Sequence, residues 1–162
     1  LTIKYPERFN KIVIMGAVGV HFDLTYGLDK AWGYTPSIKN MKELLDIFAY
    51  DRSIVTDDLA KMRYEASIRP GFQESFSSMF PAPRQNGVDS MESCENDIKK
   101  IEKDVLIVHG REDKVIPVQN SIRLNQLIQK SQLHIFGECG HWTQIEHNER
   151  FNNLLLNFFS EK

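Results

Sequence analysis

Two residues, Asp113 and His141, have the type and spacing to do chemistry. Asp113 follows the apolar run 105–108 and the turn signal His109-Gly110. That is how a buried strand reads when it runs into a turn. Its carboxylate therefore falls just beyond the carboxyl end of a strand, where open α/β sheets keep their chemistry. His141 sits in a glycine-rich loop after a second apolar stretch, 133–136. An acid at one strand end and a histidine at a later one form the second half of a Ser…Asp…His order. The acid holds Nδ1–H and stabilises the imidazolium that forms when the base takes a proton. The plainer readings are an aspartate that caps a helix or fixes a turn, and a structural loop histidine. The first half of the order, a serine on a sharp strand-to-helix turn, is absent from these 162 residues.

Other candidates are weaker. His21, His109, His134 and His147 fall into no metal-binding spacing, and Cys139-Gly-His141 is too short for a zinc knuckle, so no metal site is expected. Nothing around Cys139 points to a lowered pKa, and it reads as a small residue filling a tight loop near the site. Gly16 and Gly19 are an incomplete dinucleotide fingerprint with no helix at once behind them; a tight loop leaving a strand is the better reading.

The bulk numbers bound the class. A chain of 162 residues suits one domain with a sizeable core. With 20 basic and 22 acidic residues mixed along it, no nucleic-acid surface is expected. No apolar run approaches the roughly 20 residues of a membrane helix, and no signal peptide is seen. Leu1 is not a start methionine, so a missing N-terminal part is expected. Two cysteines fit a reducing cytoplasm better than a disulfide scaffold.

The elements that must position the pair come next. Residues 1–10 read as the tail of a helix broken at Tyr5-Pro6, and 11–15 as a buried strand. From 20 to about 93 the pattern is helical. Ser37 caps a helix with the stripe Ile38, Met41, Leu45 and Phe48. Thr56 caps another, with Leu59, Met62 and Ala66 on one face. Phe72, Phe76, Met79 and Phe80 continue an apolar side until Pro81-Ala-Pro83 ends it. A charged connector, 97–103, leads into the strand before Asp113. Pro117 opens a helix that turns Leu124, Leu127 and Ile128 to the sheet. In the last helix Phe151, Leu154, Leu155 and Phe158 recur at helical spacing. Three strands joined through helices imply a parallel sheet covered on both faces, and so thin a sheet reads as the C-terminal part of a larger α/β protein.

At these residues the chain resembles a known family. V-L-I-V-H-G-R-E-D-K-V-I-P and C-G-H-W-T-Q-I-E-H-N-E-R-F-N look like the meta-cleavage product hydrolases of the α/β-hydrolase fold, most like their 2-hydroxymuconic semialdehyde hydrolase branch. M-G-A-V-G, W-G-Y-T-P, F-A-Y-D-R, R-Y-E-A-S and M-F-P-A-P-R extend the likeness over nearly the whole chain. The resemblance implies a parallel sheet flanked by helices, with 1–24 a core strand and its exit loop, 25–95 an inserted helical lid, and 96–162 the C-terminal core. It implies cofactor-free hydrolysis of a C–C bond in a 2-hydroxy-6-oxo-dienoate from aromatic catabolism. Asp113 and His141 match the family's acid and base, Arg63 its lid arginine, Phe48 and Trp142 pocket aromatics, and Cys139 a residue near the substrate. The nucleophile elbow has no counterpart here, so the fragment alone is expected to be inactive. A small-molecule substrate, a homo-oligomeric full-length form and no nucleic-acid or membrane partner are expected. Ester hydrolysis, and a non-catalytic gene remnant, are the alternatives.

Overall fold

The computed structural model describes residues 1–161. Its strands are β1 (Lys11–Met15), β2 (Asp104–Gly110) and β3 (Ser131–Phe136), all parallel, in the order β1-β2-β3. Val13 pairs with Leu106 and Leu106 with Gln132, so β2 is central. It is buried from Val105 through Gly110, as the unbroken run of β-branched and apolar residues predicts for a strand covered on both faces.

One face of the sheet packs on α7 (Val118–Leu127): Val105 and Ile107 share a cluster with Leu124, Leu127 and Ile128. The other packs on α9 (Asn148–Ser160), where Leu106, Val108 and Phe136 meet Phe151 and Phe158. Alternate residues of β2 thus go to opposite layers, the period of two that a strand imposes. Phe158 is 2 % exposed; truncating it to alanine would cost about 3–5 kcal/mol.

Between β1 and β2 the chain forms only helices: α1 (Tyr26–Trp32), α2 (Ile38–Phe48), α3 (Asp57–Ser67), α4 (Phe72–Met79), α5 (Gln85–Ser90) and α6 (Glu95–Ile98). Thr25, Ser37 and Thr56 cap the first three, each hydroxyl accepting from a backbone N–H three residues on, a contribution of about 1 kcal/mol apiece. Thr25 does more than cap. Its hydroxyl donates to the Val115 carbonyl at 2.7 Å, which fastens α1 beside the exit of β2. Gln85 bridges Phe22 and Leu24 from α5, and Ser93 N–H donates to Gly19 O, which closes the block back onto the β1 exit loop.

Several local expectations are corrected. Residues 1–10 hold a turn and a 3-10 segment, Pro6–Arg8, because Pro6 starts a turn more readily than it ends a helix. In α3 the buried residue is Ala60, flanked by half-buried Leu59 and Tyr64, and Met62 is exposed. The α4 helix buries nothing fully: Phe76 and Phe80 turn inward against Trp32, while Phe72 and Met79 face out. The charged connector begins as the single turn α6, anchored by buried Ile98. Pro117 stands just outside α7 in extended backbone, and α8 (Thr143–Glu146) is a single turn too short to show a period. Among the described residues no helix is long and apolar enough to cross a membrane.

Candidate active site

The two loops that leave the carboxyl ends of β2 and β3 bring Asp113 and His141 together. The Asp113 carboxylate divides its work between its oxygens. Oδ1 accepts from the backbone N–H groups of Val115 (2.7 Å) and Ile116 (3.0 Å), fixing the turn into α7. Oδ2 faces His141 Nδ1 at 2.9 Å. The turn-fixing and histidine-orienting readings of this aspartate therefore coexist in one side chain.

Its side chain is 1 % exposed against 28 % for His141. Burial alone would raise the Asp113 carboxyl, but hydrogen bonds from His109 and His141, with the backbone of Ile116, hold it well below the usual carboxylate range. An ionised carboxylate only accepts, so His141 Nδ1 carries the hydrogen and donates it. In the neutral ring that leaves Nε2 with a lone pair, on a side chain that is partly exposed. An imidazole so held can take a proton at Nε2 while the carboxylate steadies the charge that forms.

The loop behind the imidazole is tied to the helical block. His141 N–H donates to the carbonyl of Phe48, the last residue of α2, at 2.7 Å. Glu146 gathers three backbone N–H groups: Tyr50 (2.6 Å) and Asp51 (2.9 Å) on Oε2, Gly140 (2.8 Å) on Oε1. A Cβ at residue 140 would collide with the Phe48 carbonyl, so glycine is required there. Gly16, at the end of β1, is constrained twice. Its φ is +50°, and a Cβ on it would lie 3.2 Å from His141 Cε1.

The structure also brings the expected side chains into a row. The Phe48 ring lies 5.5 Å from the His141 ring and 5.4 Å from that of Trp142, centroid to centroid. The Arg63 guanidinium, exposed on α3, stands 5.7 Å over Trp142, a cation–π contact. Cys139 is placed differently from the rest. It has no exposed surface and packs with Leu106, Val108 and Phe136 beneath the loop. Burial pushes its thiol up to about 12, with Glu146, Glu112 and Asp113 adding to the effect, so it stays protonated and offers neither a nucleophile nor a face to a ligand.

Three residues of this arrangement were not singled out from the sequence. Gly16 read as part of a tight loop leaving a strand, Glu146 drew no reading of its own, and nothing local marks either. His109 had a usable signal, a histidine closing a fully apolar strand run, where burial forces it to find partners.

A parallel sheet with helices on both faces, carrying an acid after one strand and a histidine after a later one, has a counterpart among known proteins. The profile of the alpha/beta hydrolase fold family matches residues 1–148, and the chain belongs to that family. It is 60% identical over 161 residues to 2-hydroxymuconate semialdehyde hydrolase of Pseudomonas putida, covering 99% of this chain and 57% of that protein. It is 58% identical over 158 residues to 2-hydroxy-6-oxo-2,4-heptadienoate hydrolase of Pseudomonas putida strain F1, covering 98% and 57%. A crystallised variant of the meta-cleavage product hydrolase CumD of Pseudomonas fluorescens IP01 superimposes with a TM-score of 0.98 at 61% identity, covering 99% of this chain and 59% of that one. The chain thus spans little more than half the length of the relatives it matches.

Proposed function

We propose that these residues form the acid–base half of a hydrolase that cleaves a C–C bond in a 2-hydroxy-6-oxo-dienoate of the 2-hydroxymuconic semialdehyde type, a product of aromatic ring cleavage. The observation that carries the reading is the Asp113–His141 pair at 2.9 Å with Phe48, Trp142 and Arg63 ranged beside it. The relatives named above support the substrate class. In this reading residues 1–24 and 96–162 belong to the core and 25–95 to a lid over the site.

The chemistry follows from the groups present. Arg63 pairs with the carboxylate and 2-oxygen of the dienolate while it becomes the ketone, a planar two-point contact that suits a guanidinium. His141 Nε2 then takes the proton of a hydroxyl, from a serine outside these 162 residues or from water, as that oxygen bonds to the C6 carbonyl carbon. Asp113 stabilises the imidazolium meanwhile. When the C5–C6 bond breaks, its electron pair goes to the dienol fragment and the imidazolium proton is given up to it. On the water route the other fragment leaves at that point as a carboxylic acid; on the serine route it remains as an acyl ester, which a water activated by His141 then hydrolyses to the acid and free serine. Only protons and electron pairs move, so the reaction calls for no cofactor. The complete protein is read as a cytoplasmic homo-oligomer that takes a small-molecule substrate, a reading that the two free cysteines support in its compartment.

The test joins the chain to the part of the Pseudomonas putida relative that it does not match. This completed protein is assayed on 2-hydroxymuconic semialdehyde and on a p-nitrophenyl ester side by side. Loss of the dienolate absorbance at a much higher kcat/KM than ester hydrolysis is expected. Ester hydrolysis alone would establish a different hydrolase, and no turnover of either substrate would refute the assignment.

A further inference from the structure

His109, near the end of β2, has no exposed surface. Its Nδ1 lies 2.6 Å from the Ser121 hydroxyl of α7. Its Nε2 lies 3.0 Å from the Ile116 carbonyl and 3.3 Å from Asp113 Oδ2. A carbonyl and a carboxylate both accept, so Nε2 must carry the hydrogen; it bonds to the Ile116 carbonyl, with Asp113 Oδ2 within reach of the same nitrogen. In the neutral ring Nδ1 is then bare, and the Ser121 hydroxyl donates to it.

We propose that His109, with its tautomer set by the acceptors at Nε2 and its ring steadied by Ser121 at Nδ1, is a positioning residue for Asp113: its Nε2–H holds Oδ2 in the direction of His141. The inference rests on reading Asp113 and His141 as an acid–base pair. The final torsion of an aspartate is broad and roughly two-fold, so Oδ2 needs a fixed partner besides the ring it is meant to orient. His141 cannot supply that fixity, because it sits on a loop and is itself partly exposed. His109 can, from a central strand and with a second partner on a helix. It also binds the Ile116 carbonyl, whose own N–H serves Oδ1, so one imidazole braces both sides of the carboxylate. The charged and titratable groups facing it are Asp113 on its own loop and, across Oδ2, His141 from the β3 loop. The low-lying Asp113 carboxyl agrees with this, since against the cost of burial hydrogen bonds from both His109 and His141 favour its ionised form.

Imidazole 15N NMR of the completed protein reads both rings whether or not it turns over a dienoate, so this inference and the proposed function fail separately. The expected spectrum has His109 protonated on Nε2 and His141 on Nδ1, the latter with a slowly exchanging, far-downfield proton. His109→Gln places an amide N–H where Nε2 was. It should keep that proton and leave kcat within about threefold, whereas His109→Leu should broaden the proton away and lower kcat by about 100-fold with KM little changed. Ser121→Ala removes the partner that steadies the ring at Nδ1 and leaves the acceptors at Nε2 in place, so the His141 proton should exchange faster; this variant decides the matter if the leucine variant does not fold. An Nδ1–H tautomer at His109, equal losses in the Gln and Leu variants, or an unchanged His141 proton in Ser121→Ala would overturn the inference and make His109 a packing residue only.

Discussion

The backbone N–H of His141 is bonded to the carbonyl of Phe48 at 2.7 Å, so the loop that presents the imidazole and the last turn of α2 move as one. Two segments separated by most of the chain share a backbone hydrogen bond at the place where a base would work. Glu146 doubles the tie by holding Tyr50, Asp51 and Gly140.

Glu146→Gln tests that clasp. The amide offers one acceptor oxygen where the carboxylate offered two, and its NH2 group would face a backbone donor. Leaving such a group unsatisfied costs about 1–3 kcal/mol. Urea unfolding should show that loss, and kcat of the completed protein should drop with it. An unchanged kcat beside a lowered midpoint would mean the clasp supports the fold and not the base.

Gly16→Ala should injure the reaction more than the fold. A side chain at φ +50° costs about 1–2 kcal/mol, and the new Cβ would press on His141 Cε1 from 3.2 Å. Gly19→Ala is the control: its φ of +116° imposes strain, yet nothing lies within 4 Å of its Cβ. Only Gly16→Ala should lower kcat, by about tenfold or more, and equal kinetic losses in both would contradict the ring contact.

Acid should weaken the fold through Asp113. Its native carboxyl lies well below the ordinary value of about 3.9 that the unfolded chain keeps. The unfolded state therefore takes up the proton first. The stabilisation is complete above about pH 4 and is lost as pH falls toward the native value. Urea midpoints measured between about pH 5 and 2.5 should decline more steeply for the native protein than for Asp113→Asn. Parallel slopes would show that this carboxylate is not held as described.

Arg63→Ala separates the dienolate reaction from ester hydrolysis. The dienolate carries charge that shifts as the enol becomes a ketone, and an activated ester carries none. Stopped-flow absorbance on the completed protein should show a slowed first phase with the dienoate, and ester turnover should be close to normal. Lysine should not rescue it, since it lacks the planar fork. If both substrates suffer alike, Arg63 serves only to cover Trp142.

What was legible in the sequence is what is encoded locally. The strands at 11–15 and 105–108 announce themselves as β-branched runs, and Ser37 and Thr56 bond to N–H groups three residues away. Asp113 and His141 were legible because strand ends are where such sheets display side chains. The stripes of α3 and α4 misled because both helices lie on the surface and bury a narrower face than their apolar residues suggest: Met62, Phe72 and Met79 spend their hydrophobicity in solvent. Gly16, His109 and Glu146 escaped notice for another reason. Gly16 and Glu146 meet His141 and Tyr50 from far along the chain, contacts that no spacing rule reports, and His109, whose partners lie 4 to 12 residues on, is marked only by closing an apolar run.

The order β1-β2-β3 also bears on how the molecule assembles. Leu106 and Gln132 are joined through α7 alone, whereas Val13 must wait for the whole run of helices before it meets Leu106. Closing the longer loop carries the greater entropic penalty, and pairings of distant segments form late. The β2–α7–β3 unit, which carries the acid and leads into the histidine loop, is therefore the natural seed of folding. In a refolding experiment followed by pulsed hydrogen exchange, the amides of β1 would be the last of the sheet to gain protection, and Gly16 would reach His141 only when the imidazole had already found its carboxylate.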